Sequence, residues 1–250
     1  MAIPIAWPDQ TARGDELWFS FFKRIGIVKN LNFKVGHAAI VLVERSSGDL
    51  FYFDFGRYIT PRGYGRARSY NFDPRLKLKT KAEFSADNEL LNLESILAEL
   101  GSLEKYTHGG GRLLCSICKE ISFKKGVEYA EKIVNLGPIP YGALAPNNNS
   151  CSRFVAQILV ESMLKSDKRV KKILYPESLK ASPTSNVINA DFDQKTYCYF
   201  RNHLKVWDMT RWKSLKFQLS ILKPNFFSKA SKELPDDSFL GFVNEPKKTK

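Results

Sequence analysis

The sequence predicts an α+β protein in which an antiparallel sheet packs against a helix that opens on a cysteine. Three stretches carry that expectation. Val35 to Val43 is a nearly continuous run of β-branched and small apolar residues, the pattern of a buried strand. Ser46-Ser47-Gly48-Asp49 reads as a hairpin turn, and Leu50 to Phe55 as the returning strand. From Cys151 onward, Phe154, Val155, Ile158 and Leu159 recur at helical spacing, with Ser150 in place to cap the first turn.

The remaining elements follow in order. Residues 1–13 are punctuated by prolines and read as extended. Asp15 caps a short helix to about Ile25, with Leu17, Trp18, Phe21, Phe22 and Ile25 as its buried stripe. Leu76 to Phe84 alternates strictly between apolar and polar residues, which predicts a half-exposed strand. Asn92 caps a helix to about Leu103, striped by Leu93, Ile96, Leu97 and Leu100. His108-Gly109-Gly110-Gly111 makes a turn and lacks the Gly-Lys-Ser/Thr ending of a phosphate loop. Arg112 to Ile121 reads as a strand whose Cys115 and Cys118 point to opposite faces as buried thiols. Ser122 caps a helix to Leu136, which Gly137 stops. Lys165 to Lys172 reads as basic surface, 176–194 as loop and Lys195 to Phe200 as a strand. These elements fit a single domain over residues 1–250, with 203–250 as a C-terminal appendage and frayed tail.

A hydrophobic fraction of 43% supports a proper core, and the formal net charge of +13 suits an acidic partner. The lysines are spread along the chain and form no basic stripe interleaved with aromatics, which argues against nucleic acid. A cell-wall, lipid-surface or acidic peptide substrate fits the charge as well. No run is apolar enough to span a bilayer, and no signal peptide is visible. The expectation is therefore a cytoplasmic protein with reduced thiols, export by another route remaining open. No second Cys/His pair has metal-ligand spacing, so no metal or other cofactor is expected. Oligomeric state is not legible.

Cys151 is the candidate nucleophile. Free amides and the positive end of the helix dipole favour a thiolate at a helix N-terminus. A free cysteine ordinarily packs as a small hydrophobe, but Ser150, Ser152 and the loop Asn147-Asn148-Asn149 surround this one with polar residues. A thiol nucleophile needs a base, and that base a third group to hold it. His37, at the mouth of the first hairpin strand, suits the role. His108 lies in a glycine run that would hold it poorly, and His203 follows a strand. The arginines of 56–68 could clamp an anionic ligand or merely line a solvated loop.

Tyr141-Gly142 followed ten positions later by Cys151-Ser152, inside Pro-Tyr-Gly…Asn-Ser-Cys-Ser-Arg-Phe-Val, resembles the nucleophile region of NlpC-type papain-like cysteine peptidases. Gly36-His37-Ala38-Ala39-Ile40-Val41-Leu42 and its hairpin resemble that family's histidine strand. Histidine precedes cysteine here, as in the circularly permuted branch that includes lecithin–retinol acyltransferase-like proteins. The resemblance implies a papain-like fold, Cys151 as nucleophile, His37 as base and then acid, and an oxyanion held by the Cys151 amide and the Tyr141 phenol. It also implies a polar group on the strand after the histidine, where Asp54 is the acid available. A tight turn at Ser47-Gly48 would set Asp54 beside Val41, about 13 Å along the strand from His37, so a bulge, or a longer turn with shifted register, is required. Otherwise Asp54 is a fold-stabilising carboxylate paired with a loop arginine. The implied activity is amide hydrolysis of a peptide or peptidoglycan-like substrate. The alternatives are thioesterase or acyltransferase action on a lipid, and a non-catalytic protein that binds an anionic ligand.

Overall fold

The structure, a computed structural model, describes residues 1–13, 24, 32–142 and 147–225. The helix expected over 15–25 lies outside the described residues, apart from Arg24. An eight-stranded sheet forms the centre, in the order β10-β9-β7-β1-β4-β5-β6-β8 with every pair antiparallel. Its strands are β1 (Ala2–Trp7), β4 (His37–Val43), β5 (Leu50–Gly56), β6 (Tyr64–Arg68), β7 (Leu113–Cys115), β8 (Ile139–Pro140), β9 (Lys195–Phe200) and β10 (His203–Asp208). A separate ribbon pairs β2 (Thr11–Arg13) with β3 (Asn32–Lys34).

Alternation along the strands divides the core in two. Ala38, Ile40 and Leu42 of β4 and Phe53 and Phe55 of β5 meet Phe154, Val155, Ile158 and Leu159 of the cysteine helix, α4 (Cys151–Ser162). The same layer holds α3 (Phe123–Asn135), capped by the Ser122 hydroxyl and closed by Gly137 at φ +72°. That left-handed backbone is open to glycine at little cost. On the other face, Ile3, Ile5, Ala39, Val41 and Tyr52 meet Leu93, Ile96, Leu97 and Leu100 of α1 (Leu93–Ser102). Cys118 belongs to the first layer and Cys115 to the second, so the two thiols do face opposite sides, both buried. Burial pushes Cys115 up strongly and Cys118 up to about 12.

Several expectations need correction. The strand expected over Arg112 to Ile121 is confined to β7, with Cys118 in a single bridge to Ala2. Leu76 to Phe84 keeps its alternating burial but forms no strand; its start is a single 3₁₀ turn over Pro74–Leu76. Side chains take up several of its backbone groups: Lys79 and Thr80 donate to the Glu99 carboxylate at 2.6 and 2.9 Å, and Glu83 to Asn92 Oδ1 at 3.0 Å. Asn92 is thereby occupied and does not cap α1 with its side chain. The supposed loop 176–194 contains α6 (Pro183–Ala190), buried at every residue, with a capping box between Ser182 and Ser185. The basic stretch 165–172 enters α5 (Lys168–Leu174), where Arg169 is buried rather than solvated. Its guanidinium holds Asp167 at 2.6 Å, Lys119 O at 2.9 Å and Ala190 O at 3.2 Å.

Residues 203–225 are woven into the fold. β10 is an edge strand of the main sheet, and α7 (Arg211–Leu222) packs on α6. Truncating Arg169 removes three anchors and strands Asp167. Arg169→Ala is expected to lower stability by about 3–5 kcal/mol in urea denaturation, whereas Lys171→Ala, one exposed turn-mate away, shifts it by no more than about 0.5 kcal/mol.

Candidate active site

The cysteine helix begins where a small clasp ends. Asn149 N donates to Pro140 O, Gly142 N to Asn149 O (both 2.9 Å), and Tyr141 N to Gly63 O at 2.8 Å, which ties the segment before α4 to β6 and β8. Asn149 Oδ1 accepts from Ser150 N at 2.9 Å, and Ser150 Oγ caps the helix by accepting from Arg153 N at 3.3 Å. The amides of Cys151 and Ser152 lie in the first turn, where a helix supplies no acceptor of its own. From the far side, Asn186 of α6 donates to Ser152 O at 2.7 Å. That anchor comes from the helix that sequence reasoning missed. The Ser182-Pro183-Thr184-Ser185 cap was the signal that could have found it.

His37 opens β4, opposite Trp7 of β1, and its ring stacks on the Trp7 indole with centroids 5.7 Å apart. The loop joining β4 to β5 spans Glu44 to Asp49, longer than a two-residue turn. It pairs Asp54 with Ala39 rather than Val41. Asp54 is thus two residues from His37 in register, on the same side of the sheet by alternation. Oδ2 of Asp54 lies 3.7 Å from His37 Nε2, within ion-pair reach but too long for a hydrogen bond. The Tyr58 hydroxyl sits between them, 3.2 Å from Nε2 and 2.9 Å from Oδ2.

Asp54 is fully buried, and four donors converge on it. Arg68 supplies Nε to Oδ1 at 3.0 Å and Nη2 to Oδ2 at 2.6 Å, and Tyr52 and Tyr58 supply hydroxyls at 3.0 and 2.9 Å. Burial alone would raise its pKa; the Arg68 charge and then His37 hold it well below the usual carboxylate range. So Asp54 is paired with an arginine that lies on β6, directly across from it, rather than in the loop expected over 56–68, and it neighbours the histidine at once. Arg68 is consumed here, and Arg57 and Arg66 lie over the rings of Tyr141 and Phe72 at 4.5 and 3.7 Å.

At the start of β4, the His37 side chain and the Ala38 amide both act on the Cys151 thiol. Its Sγ is 3.8 Å from Ser152 Oγ. Burial pushes the thiol up, but the His37 side chain and its charge, helped by the Ala38 amide, outweigh that and draw it below its ordinary value. Burial likewise works against a charged His37, yet Asp54 and Cys151 raise it to about 9. Shifts of this sense favour thiolate and imidazolium over thiol and imidazole. Cys198 is pushed upward by burial, as are Cys115 and Cys118. Cys151 keeps 7% of its surface and the His37 side chain 13%.

The Tyr141 ring is stacked on Phe55 at 5.9 Å, under the Arg57 guanidinium. His108, set aside from sequence, is held after all: its ring stacks on Tyr58 at 5.3 Å, and burial lowers its pKa. His203 begins β10, with three strands between it and β4. A cavity of about 330 Å³ bounded by Trp7, Glu104, Gly110, Tyr199 and Asn202 borders Trp7 but is not lined by Cys151 or His37. Among the described residues no cluster of three His, Cys, Asp or Glu side chains could hold a metal, and no helix is long and apolar enough to cross a membrane.

Residues 2–168 match the family described as Type VI secretion system effector TseH-like. A solved structure, the crystal structure of the type VI secretion system effector TseH, superposes with a TM-score of 0.53 at 18% sequence identity, covering 82% of this chain and 96% of that one. That likeness is one of fold. No curated protein matches the sequence. The family match spans more than half of the chain, from β1 through α4, and takes in His37, Asp54, Tyr141 and Cys151: the chain belongs to the TseH-like family of type VI secretion effectors.

Proposed function

We propose that the chain is a secreted effector that hydrolyses amide bonds in a peptide or peptidoglycan-like substrate, with Cys151 as nucleophile and His37 as its acid–base partner. One observation carries this reading: a thiol in the first turn of a helix is drawn toward its charged form by an imidazole that the Tyr58 hydroxyl links to a buried carboxylate. The membership in a family of secretion effectors supports an agent acting on a target outside the cell that makes it. The net charge of +13 favours association with an anionic polymer such as a cell wall.

In this mechanism the Cys151 thiolate attacks the substrate carbonyl. The oxyanion that forms is held by the Cys151 amide and the Tyr141 phenol. Collapse breaks the C–N bond, leaves a thioester on sulfur, and sends the imidazolium proton of His37 to the departing amine. Water then attacks the thioester, giving its proton to the now neutral His37. The acid product leaves, and the thiolate–imidazolium pair is restored. Asp54 stays ionised throughout and favours the imidazolium.

Two outcomes are expected. Iodoacetamide at neutral pH labels Cys151 ahead of Cys115, Cys118 and Cys198, and His37→Ala abolishes that preference, as read by peptide mass spectrometry. The same protein incubated with purified sacculi releases new amine termini, a release lost in Cys151→Ala. Uniform labelling of the four cysteines, or release that survives Cys151→Ala, ends the reading; cleavage of a thioester probe with intact sacculi turns it toward acyl transfer.

The pH dependence has a definite sign. The reactive form has Cys151 deprotonated and His37 protonated. It appears as pH rises through the lowered thiol pKa and disappears as pH rises past about 9, where His37 loses its proton. A bell-shaped kcat/KM profile with its alkaline limb near 9 is therefore expected.

A further inference from the structure

We propose that Tyr58 is the positioning residue that holds His37 in the tautomer the reaction needs, standing between the imidazole and Asp54 where direct contact would be expected. The proposal rests on the Cys151–His37 reading above and adds the identity of the group that orients the base.

The argument is one of donors and acceptors. Asp54 is ionised and can only accept. It already takes bonds from Arg68 Nε and Nη2 and from the Tyr52 and Tyr58 hydroxyls, and His37 Nε2 stands off at 3.7 Å. Tyr58 has one hydroxyl proton, and at 2.9 Å from Oδ2 that proton belongs to the carboxylate. Burial and the Asp54 charge raise the phenol well above its ordinary range, so it keeps its proton. The Tyr58 oxygen, 3.2 Å from Nε2, is then left to face His37 as an acceptor. Nε2 must carry hydrogen to satisfy it. Nδ1 is thereby the nitrogen that exchanges a proton with the thiol and the leaving group. The hydrogen bonds run in one direction, from Nε2–H to the Tyr58 oxygen and from Tyr58 O–H to Asp54.

The phenol is also built into place. The Arg68 guanidinium lies over its ring at 3.3 Å, and the His108 ring stacks on it. A Cβ at position 56 would come within 2.5 Å of Tyr58 Cζ, so glycine there makes the room that the ring occupies. The charged and titratable groups around His37 are Cys151 from α4, Asp54 and Tyr52 from β5, Arg68 from β6, Tyr58, and His108 after α2 (Glu104–Thr107), with Arg75 acting on His108.

The test is nitrogen-15 NMR of the His37 ring, with alkylation of Cys151 by iodoacetamide across pH, on wild type, Tyr58→Phe, Gly56→Ala and His37→Ala. In wild type above its transition, neutral His37 is expected with hydrogen on Nε2; hydrogen on Nδ1 overturns the proposal without recourse to any variant. Tyr58→Phe keeps the ring and its stacking. It is expected to lower the His37 titration from about 9 and to mix the two tautomers. The onset of Cys151 alkylation should then move upward in pH toward that of His37→Ala. Gly56→Ala, which displaces the ring and removes no hydrogen-bonding group, should act in the same direction. A Tyr58→Phe protein that melts earlier but titrates as wild type assigns Tyr58 to packing and overturns the proposal. If His37→Ala itself leaves the Cys151 profile unchanged, the cysteine–histidine reading fails. In that case the tautomer serves no catalysis, and the positioning role falls with it, whatever the ring shows.

Discussion

Everything around the site hangs on a carboxylate that no water touches. An ionised Asp54 with zero exposure is tolerable only because Arg68 forks onto it and two phenols complete its shell. The same guanidinium reaches Tyr106 O at 2.9 Å, and its Nη1 lies 3.6 Å from Asp73. One buried ion pair therefore joins β5, β6 and the segments around residues 73 and 106. This network also sets the field that His37 feels. Arg68 absorbs much of the Asp54 charge, so the imidazole is raised by a partly neutralised partner, with the thiolate supplying further support. Neither Cys151 nor His37 could be charged alone in so closed a place; as a pair of opposite sign they cost far less to bury.

The strands and the cysteine helix were legible because their patterns answer to burial, and burial is what sequence periodicity records. Ala38, Ile40 and Leu42 alternate with Ala39, Val41 and Val43, and both sets are buried because helices or loops cover both faces. The Ser150 cap was legible from its place before an apolar stripe. Register was not. Pairing Asp54 with Ala39 follows from how the connection Glu44 to Asp49 is held. Gly48 N donates to Glu44 O, Glu44 N to Asp49 O, Ser47 Oγ to the Glu44 carboxylate, and Ala82 N to Gly48 O. The last of these comes from a segment thirty-odd residues on, and no local rule could have included it.

The misread segments failed for related reasons. Leu76 to Phe84 alternates like a strand, but side chains of Glu99 and Asn92 took the backbone partners that a neighbouring strand would have supplied. Arg169 looked like one more cation in a basic run, and its ion pair with Asp167 two residues back removed it from water. Pro183 to Ala190 carries too many polar residues to stand out as a helix, yet all of it is buried. Asn186 and Asn189 spend their amides on Ser152 O, Ser185 O and Glu177. Polar residues that are buried with their N–H groups hydrogen-bonded are invisible to a hydrophobicity pattern.

The same helix bears on where the site ends. The family match stops at residue 168, just after the cysteine helix, whereas the structural likeness covers more of the chain than that. α6 lies beyond the match and supplies the Asn186 bond to the carbonyl of Ser152, one residue past the thiol. It also packs against β1, which carries the Trp7 that stacks on His37. Both members of the cysteine–histidine pair are thus braced by a helix outside the matched segment. The side chains of the candidate site all lie within 2–168, but their spacing depends on residues after it, so the unit that holds this site together is larger than the part by which the family is recognised.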